Sequence, residues 1–268
     1  MRVLKLTLAY DGTRFVGWQR QADGESIQGL LEQALAKFQG APVTVHGAGR
    51  TDAGVHALGQ VASVSVTFTH PTGTLVRALN ALLPEEIRIL EVADAAPDFH
   101  ARFSARSKTY RYHIRAGTIG DPFTRAFVWH LAEPLDVAAM RSAAASLVGT
   151  HDFAAFQSAG TDVASSVRTI FRSEIRAADE CRGHTGSARL FTEGGADLLG
   201  SGETLVYEVT ADGFLRHMVR AIVGTLVEIG REWRPVESMA HLIGDGTRAE
   251  AGATAPPHGL FLVSVDYD

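Results

Sequence analysis

A succession of patterns that runs strand, helix, strand, strand, helix, strand, and then runs again, restricts this chain more than any other feature. Residues 2 to 9 alternate apolar and polar like a strand and end at the turn signature Tyr10-Asp11-Gly12. Ser26 caps a predicted helix over 27 to 38, where Leu30, Leu31, Leu35 and Phe38 recur at helical spacing. Strands at 42 to 46 and 60 to 68, a helix from 72 to 82 ending before Pro84, and a strand from 87 to 92 complete the first set. The second set has no obvious sequence identity to the first. It reads as strand 107 to 115, helix 136 to 147, strands 167 to 178 and 203 to 211, helix 214 to 229 and strand 259 to 266, with an extra helix near 235 to 243. This order predicts an α+β fold of two similar βαββαβ halves, each a mainly antiparallel sheet with helices on one face, joined around a central cleft. Residues 1 to 100 form the first half and 101 to 268 the second, with 96 to 107 as the crossing segment. Residues 180 to 202, rich in Gly, Ser and Thr, read as a long mobile hairpin loop without assigned chemistry.

With 268 residues, 46% hydrophobic and 21% charged, the chain can bury a large core. No apolar run is long enough to span a bilayer, and the first residues alternate where a signal peptide would be continuously apolar, which predicts a cytoplasmic protein without membrane contact. The single Cys181 excludes an internal disulfide and a zinc site built from several cysteines. A net charge of −5 argues against a nucleic-acid partner, yet Arg102, Arg106, Lys108, Arg111, Arg115 and Arg125 face only Asp121 between residues 100 and 125. Such a local basic stripe is compatible with RNA binding.

Between two β-type runs stands His46-Gly47-Ala48-Gly49-Arg50-Thr51-Asp52-Ala53-Gly54-Val55-His56. Its glycines free the backbone for tight turns around one cation, Arg50, and one anion, Asp52, so the loop is suited to holding a carboxylate. The same residues also fit ordinary turn punctuation with a surface ion pair and structural histidines. Asp52 and His56 lack a third ligand nearby, which argues against a metal. Phe15 and Trp18, next to a glycine and several amide or cationic groups, fit either a binding loop or plugs of the core beneath a loop. From Phe99 to His113 aromatic residues interleave with cations. Tyr110 and Tyr112 share one strand face and Arg111 and His113 the other, either as a base-stacking surface or as a strand with tyrosines in the core and arginines in water. Arg216 and Arg220, four apart on the predicted helix, could bind an anion together or form a solvated basic face.

Taken together these stretches resemble the tRNA pseudouridine synthase A family over nearly the whole chain. The resemblance is carried by Tyr10-Asp11-Gly12 through Gly17-Trp18-Gln19-Arg20-Gln21, by Ser26-Ile27-Gln28-Gly29, by Gly49-Arg50-Thr51-Asp52-Ala53-Gly54-Val55-His56-Ala57, by Phe99-His100-Ala101-Arg102 and Tyr110-Arg111-Tyr112, by Phe214-Leu215-Arg216-His217-Met218-Val219-Arg220, and by Pro256 to Leu262. The Gly-Arg-Thr-Asp core is the most specific of these. The resemblance implies that Asp52 is the catalytic aspartate, that Tyr110 stacks on the target base, and that Arg220 contacts Asp52 and holds it ionised. It further implies that Arg50 helps position RNA near the flipped nucleotide and that Leu260 forms an apolar wall; Arg216, from its spacing to Arg220, is expected to bind the substrate too. The resemblance implies a homodimer acting without cofactor or metal on uridines 38, 39 and 40 of the tRNA anticodon arm. An RNA-binding protein without catalysis would need the arginines and tyrosines but not Asp52. A metal-dependent nuclease or phosphatase would need more converging carboxylates or histidines, and a scaffold would need no aromatic-cation stretch. Two stretches depart from the family pattern: 180 to 202 looks longer than usual, and 157 to 166 matches poorly.

Overall fold

Alternation of Leu4, Leu6, Leu8 and Tyr10 with half-buried residues makes β1 (Arg2–Tyr10) a strand with one face in the core. The computed structural model describes residues 1–158, 160, 164–177 and 203–267, so the loop predicted at 180 to 202, with Cys181, lies outside the described residues. The chain divides into two units, Met1–Lys108 with Phe261–Asp268, and Thr109–Leu260.

In the first unit β1 is followed by α1 (Ile27–Gln39), β2 (Val45–Gly47), β3 (His56–Val66), α2 (Thr72–Leu82) and β4 (Ile87–Ala95). Ser26 accepts a hydrogen bond from the Gly29 N–H at the start of α1, which buries Ile27, Leu31 and Leu35. The buried Glu32 accepts the Val45 N–H at 3.0 Å and so ties α1 to β2. β1 lies antiparallel between β3 and β4. The other side of β3 pairs antiparallel with β2 near its end, and parallel with β10 (Leu260–Asp266) at His56 and Ala57. The last strand therefore belongs with the first unit, whereas the sequence division at residue 100 assigned it to the second.

The second unit holds β5 (Ser107–Ala116), β6 (Trp129–Leu131), α3 (Val137–Ala145), β7 (Gly149–Asp152), β8 (Val167–Ala177), β9 (Glu203–Ala211), α4 (Met218–Gly230) and α5 (Ser238–Leu242). Its strands follow the order β5-β9-β8-β7, with β6 parallel to β5 and the pairs of β8 antiparallel. α4 is buried along nearly its whole length. The architecture is α+β with mainly antiparallel strands. Two expectations are corrected. The helix predicted from 214 starts at Met218, because His217 before it takes a left-handed conformation, φ 61°. β5 does not alternate between core and water: Tyr110, Arg111, Tyr112, His113 and Ile114 are all buried, since both of its faces are covered.

Candidate active site

Residues 48–55 join β2 to β3, and hydrogen bonds to their main chain fix nearly every turn of that loop. The Ala48 N–H donates to Val61 O at 2.8 Å, the Gln60 amide donates to Gly49 O at 2.9 Å, and the Trp18 N–H donates to Thr51 O at 3.0 Å. The Thr51 hydroxyl meets the Tyr10 hydroxyl at 2.8 Å, and the Val55 N–H returns to Asp52 O at 3.1 Å. Phe15 and Trp18 are buried. The preceding loop packs so closely that a Cβ on Gly17 would stand 2.6 Å from Thr51 O and 3.0 Å from the Asp52 carbonyl carbon. Gly17 also has φ 105°, which disfavours any side chain there. Asp52 is thus half-buried on a backbone held from both sides, while Arg50 two residues earlier is exposed.

Burial pushes the Tyr10 phenol up to about 12, against the opposing effect of its hydrogen bonds with Thr51 and Gln60. The phenol therefore stays neutral near neutral pH and places no second negative charge beside the aspartate. His56 is a structural group. Its Nδ1 accepts the Gly12 N–H at 3.0 Å, and its ring stacks on Phe261 with centroids 4.7 Å apart. An Nδ1 that accepts from Gly12 has no proton for Asp11, whose carboxylate lies 3.2 Å away, so this proximity is not a charged pair. Among the described residues no group of three or more His, Cys, Asp or Glu side chains is arranged to hold a metal ion.

In the second unit Tyr110 is buried on β5 with its ring edge-on to Phe214, centroids 5.0 Å apart. Tyr112 is fully buried and donates its hydroxyl to Pro256 O at 2.8 Å; burial raises its pKa. Arg220, in the first turn of α4, donates its Nε–H to Ala255 O at 2.7 Å, and the Ala255 N–H donates back to Arg220 O at 3.0 Å. Segment 255–260 thereby links Arg220, Tyr112 and the buried Leu260. Arg216 does not share a helical face with Arg220, as the spacing predicted, because it lies before the helix and is exposed. Nor is Arg111 in water: its guanidinium pairs with Glu208 at 2.6 Å, and both side chains are largely buried. Arg50 and Asp52 thus belong to the first unit, and Tyr110, Arg216, Arg220 and Leu260 to the second. Sequence reasoning missed Tyr10, Gln60 and Ala255 as supports, since each acts through a contact distant in the chain.

Residues 7–104 and 143–268 match the tRNA pseudouridine synthase family. The tRNA pseudouridine synthase A of Moorella thermoacetica is 43% identical over 269 residues, covering 100% of both chains. That of Solidesulfovibrio magneticus is 45% identical over 274 residues, covering 100% of this chain and 92% of the relative. For that of Myxococcus xanthus the figures are 43% over 264 residues, 98% and 91%.

Proposed function

We propose that this chain, which belongs to the tRNA pseudouridine synthase family and so isomerises uridine to pseudouridine in tRNA, acts on positions 38, 39 and 40 of the anticodon arm with Asp52 as its catalytic carboxylate. The observation that carries this reading is the loop itself. It bears the Gly-Arg-Thr-Asp motif, and the main chain on either side of Asp52 is hydrogen-bonded to β3 and to the Trp18 loop.

The reaction breaks the N-glycosidic bond, turns the uracil, joins C5 to C1′, releases the C5 proton and takes up a proton at the freed N1. One substrate gives one isomeric product without change of oxidation state, so the reaction as written calls for no redox partner. Attack of a carboxylate on C1′, attack on the base, and removal of the C2′ proton all start from the ionised form, which an adjacent guanidinium favours in a site that excludes water. Arg220 is assigned that cation, Tyr110 the aromatic surface for the extruded base, Arg50 and Arg216 the neighbouring RNA, and Leu260 the apolar wall. Extrusion of a base from a stem costs a few kcal/mol, which stacking and phosphate contacts offset in part. The reading extends to a homodimer in the cytoplasm.

The deciding experiment measures tritium released from tRNA labelled at C5 of uridine, in metal-free buffer with EDTA. Release by the native protein and background release by Asp52→Asn is the expected result. Equal release by both would remove Asp52 from catalysis, and no release by either would refute the assigned activity.

A further inference from the structure

Rings stand in file on the surface of the first unit. His46, on β2, meets His100 with centroids 4.8 Å apart and planes inclined by 34°. His100 meets Phe103 at 4.4 Å and 37°. The turn that carries His100 and Phe103 is firmly held. The Ala101 N–H donates to Ser63 Oγ at 3.0 Å, the Tyr267 hydroxyl donates to Ala101 O at 2.8 Å, and His100 and Ser104 exchange hydrogen bonds at 3.1 and 2.9 Å. Ser63 is also the ladder partner of His46 across β2 and β3, so the bond that anchors the turn brings the two imidazoles together.

His100 Nδ1 accepts the Arg102 N–H at 3.1 Å and is therefore unprotonated. Burial, then the neighbouring His46 and Arg102, likewise holds this imidazole below its usual range. The central ring of the file is thus neutral, and the file ends at Phe103, which is 76% exposed, with the Arg102 guanidinium 5.6 Å from its ring centroid. A lone exposed phenylalanine calls for no explanation. One that ends a rigid file of rings beside a cation has the composition that binds an unpaired nucleotide, a face for the base and a charge for the phosphate.

We propose that the file His46, His100 and Phe103, with Arg102, is a second base-binding place, on which an unpaired nucleotide of the substrate tRNA stacks while the target uridine occupies the Asp52 loop. The proposal rests on the functional reading above. His46 precedes Asp52 by six residues, so their Cα atoms lie no more than about 22 Å apart. The file adds two ring spacings of 4.8 and 4.4 Å to that span, so a nucleotide in the same arm of the RNA as the target can reach Phe103. Stacking carries no base code, because every base has a π face. A contact that any base satisfies survives a shift of the RNA by one or two nucleotides, as an enzyme serving adjoining uridines requires.

The test uses the full-length protein and anticodon-arm RNAs carrying 2-aminopurine at one unpaired position at a time. At one or two positions the native protein quenches the fluorescence beyond the quenching in free RNA. Phe103→Ala abolishes that quenching and weakens binding roughly 5- to 150-fold, the range for losing one base-aromatic stack. Phe103→Trp restores both, and the thermal midpoint of each variant stays at the native value because the side chain lies in water. In turnover, Phe103→Ala raises KM and leaves kcat near native. Native affinity and native quenching in Phe103→Ala overturn the proposal. Tritium release, read alongside, separates the two readings. Binding and Phe103-dependent quenching without release refute the assigned activity and leave the stack standing, whereas release with quenching indifferent to Phe103 refutes the stack alone.

Discussion

Removal of a single buried oxygen, in Tyr10→Phe, tests whether the aspartate loop is positioned by neutral hydrogen bonds. The Gln60 amide has only protons to offer at Nε2, which lies 3.4 Å from the phenol, so the phenol accepts there and keeps its own proton for Thr51 at 2.8 Å. Phenylalanine preserves the ring and deletes that link. The lost hydrogen bond is worth about 1 kcal/mol net, and the stranded Thr51 hydroxyl, itself buried, adds its own desolvation, for a total of roughly 1–3 kcal/mol. In a chain of this size that lowers the thermal midpoint by roughly 2–10 °C. Thr51 immediately precedes Asp52, and a displacement of a catalytic group by 1 Å can cost about 10²-fold in rate. Tyr10→Phe should therefore lower kcat by about 10-fold or more while KM changes little. Thr51→Val and the double variant complete a cycle read by denaturation and by tritium release. Because both single changes break the same bond, the double should fall short of their sum by about 1 kcal/mol in stability. Additivity to within about 0.5 kcal/mol, together with native kcat in Tyr10→Phe, would refute the claim that this bond positions the loop.

Two further outcomes follow from the second unit and from the buried imidazoles. A Cβ on Gly224 would stand 1.6 Å from Ala253 O, so Gly224→Ala must push α4 away from the segment that binds Arg220; a loss of about 3 kcal/mol or more is expected, seen as a fall in the thermal midpoint of roughly 6 °C or more, and an unchanged midpoint would contradict the packing. His100 and His258 are both held below the usual imidazole range, in each case first by burial and then, despite an opposing backbone hydrogen bond, by neighbouring basic side chains, His46 and Arg102 beside His100 and Arg220 beside His258. Their folded values lie below their unfolded value of about 6.5, so the stability they contribute is fully present above that pH and is lost as pH falls through the folded values. Melting curves between pH 8 and pH 5 should show the midpoint falling with acid, less steeply in His258→Asn; a midpoint that rises on acidification would reverse the sign.

Elements whose side chains repeat at a single period were legible to within a few residues. α2 has the predicted bounds, β1 differs by one residue at one end, and β8 begins and β9 ends at the predicted residues. Failures occur where a distant residue decides. The helix pattern around Phe214 continues smoothly in sequence, yet the Ser158 hydroxyl hydrogen-bonds His217 Nδ1 at 2.7 Å, and His217 turns left-handed just before α4. Alternation in β5 left a base-stacking surface or arginines in water as its two readings, and Glu208, 97 positions away in sequence, shows Arg111 neutralised under cover. β6 and β7 span three and four residues, too short for any period to register. At the candidate site the motif marked Arg50 and Asp52, but its supports Tyr10 and Gln60 come from strands whose pairing no local pattern specifies.

The supports also explain why an anion can be held in such a loop. Thr51 is bonded to a phenol that burial keeps neutral, Gly49 to an amide, and the Thr51 and Asp52 carbonyls to main-chain N–H groups. None of these partners carries a negative charge, so each fixes the backbone without opposing ionisation of the carboxylate. A lysine or arginine in the place of Tyr10 would favour the anion more strongly, but it would be a charge buried to the level of Tyr10, 4% exposed, and would have to be compensated there. A neutral network confines the electrostatic task to a cation supplied from elsewhere, the role assigned to Arg220. On that division of labour, stability of the loop and charge of the proposed catalytic carboxylate can be changed independently: hydrogen-bond variants such as Tyr10→Phe act through placement, and guanidinium variants act through ionisation.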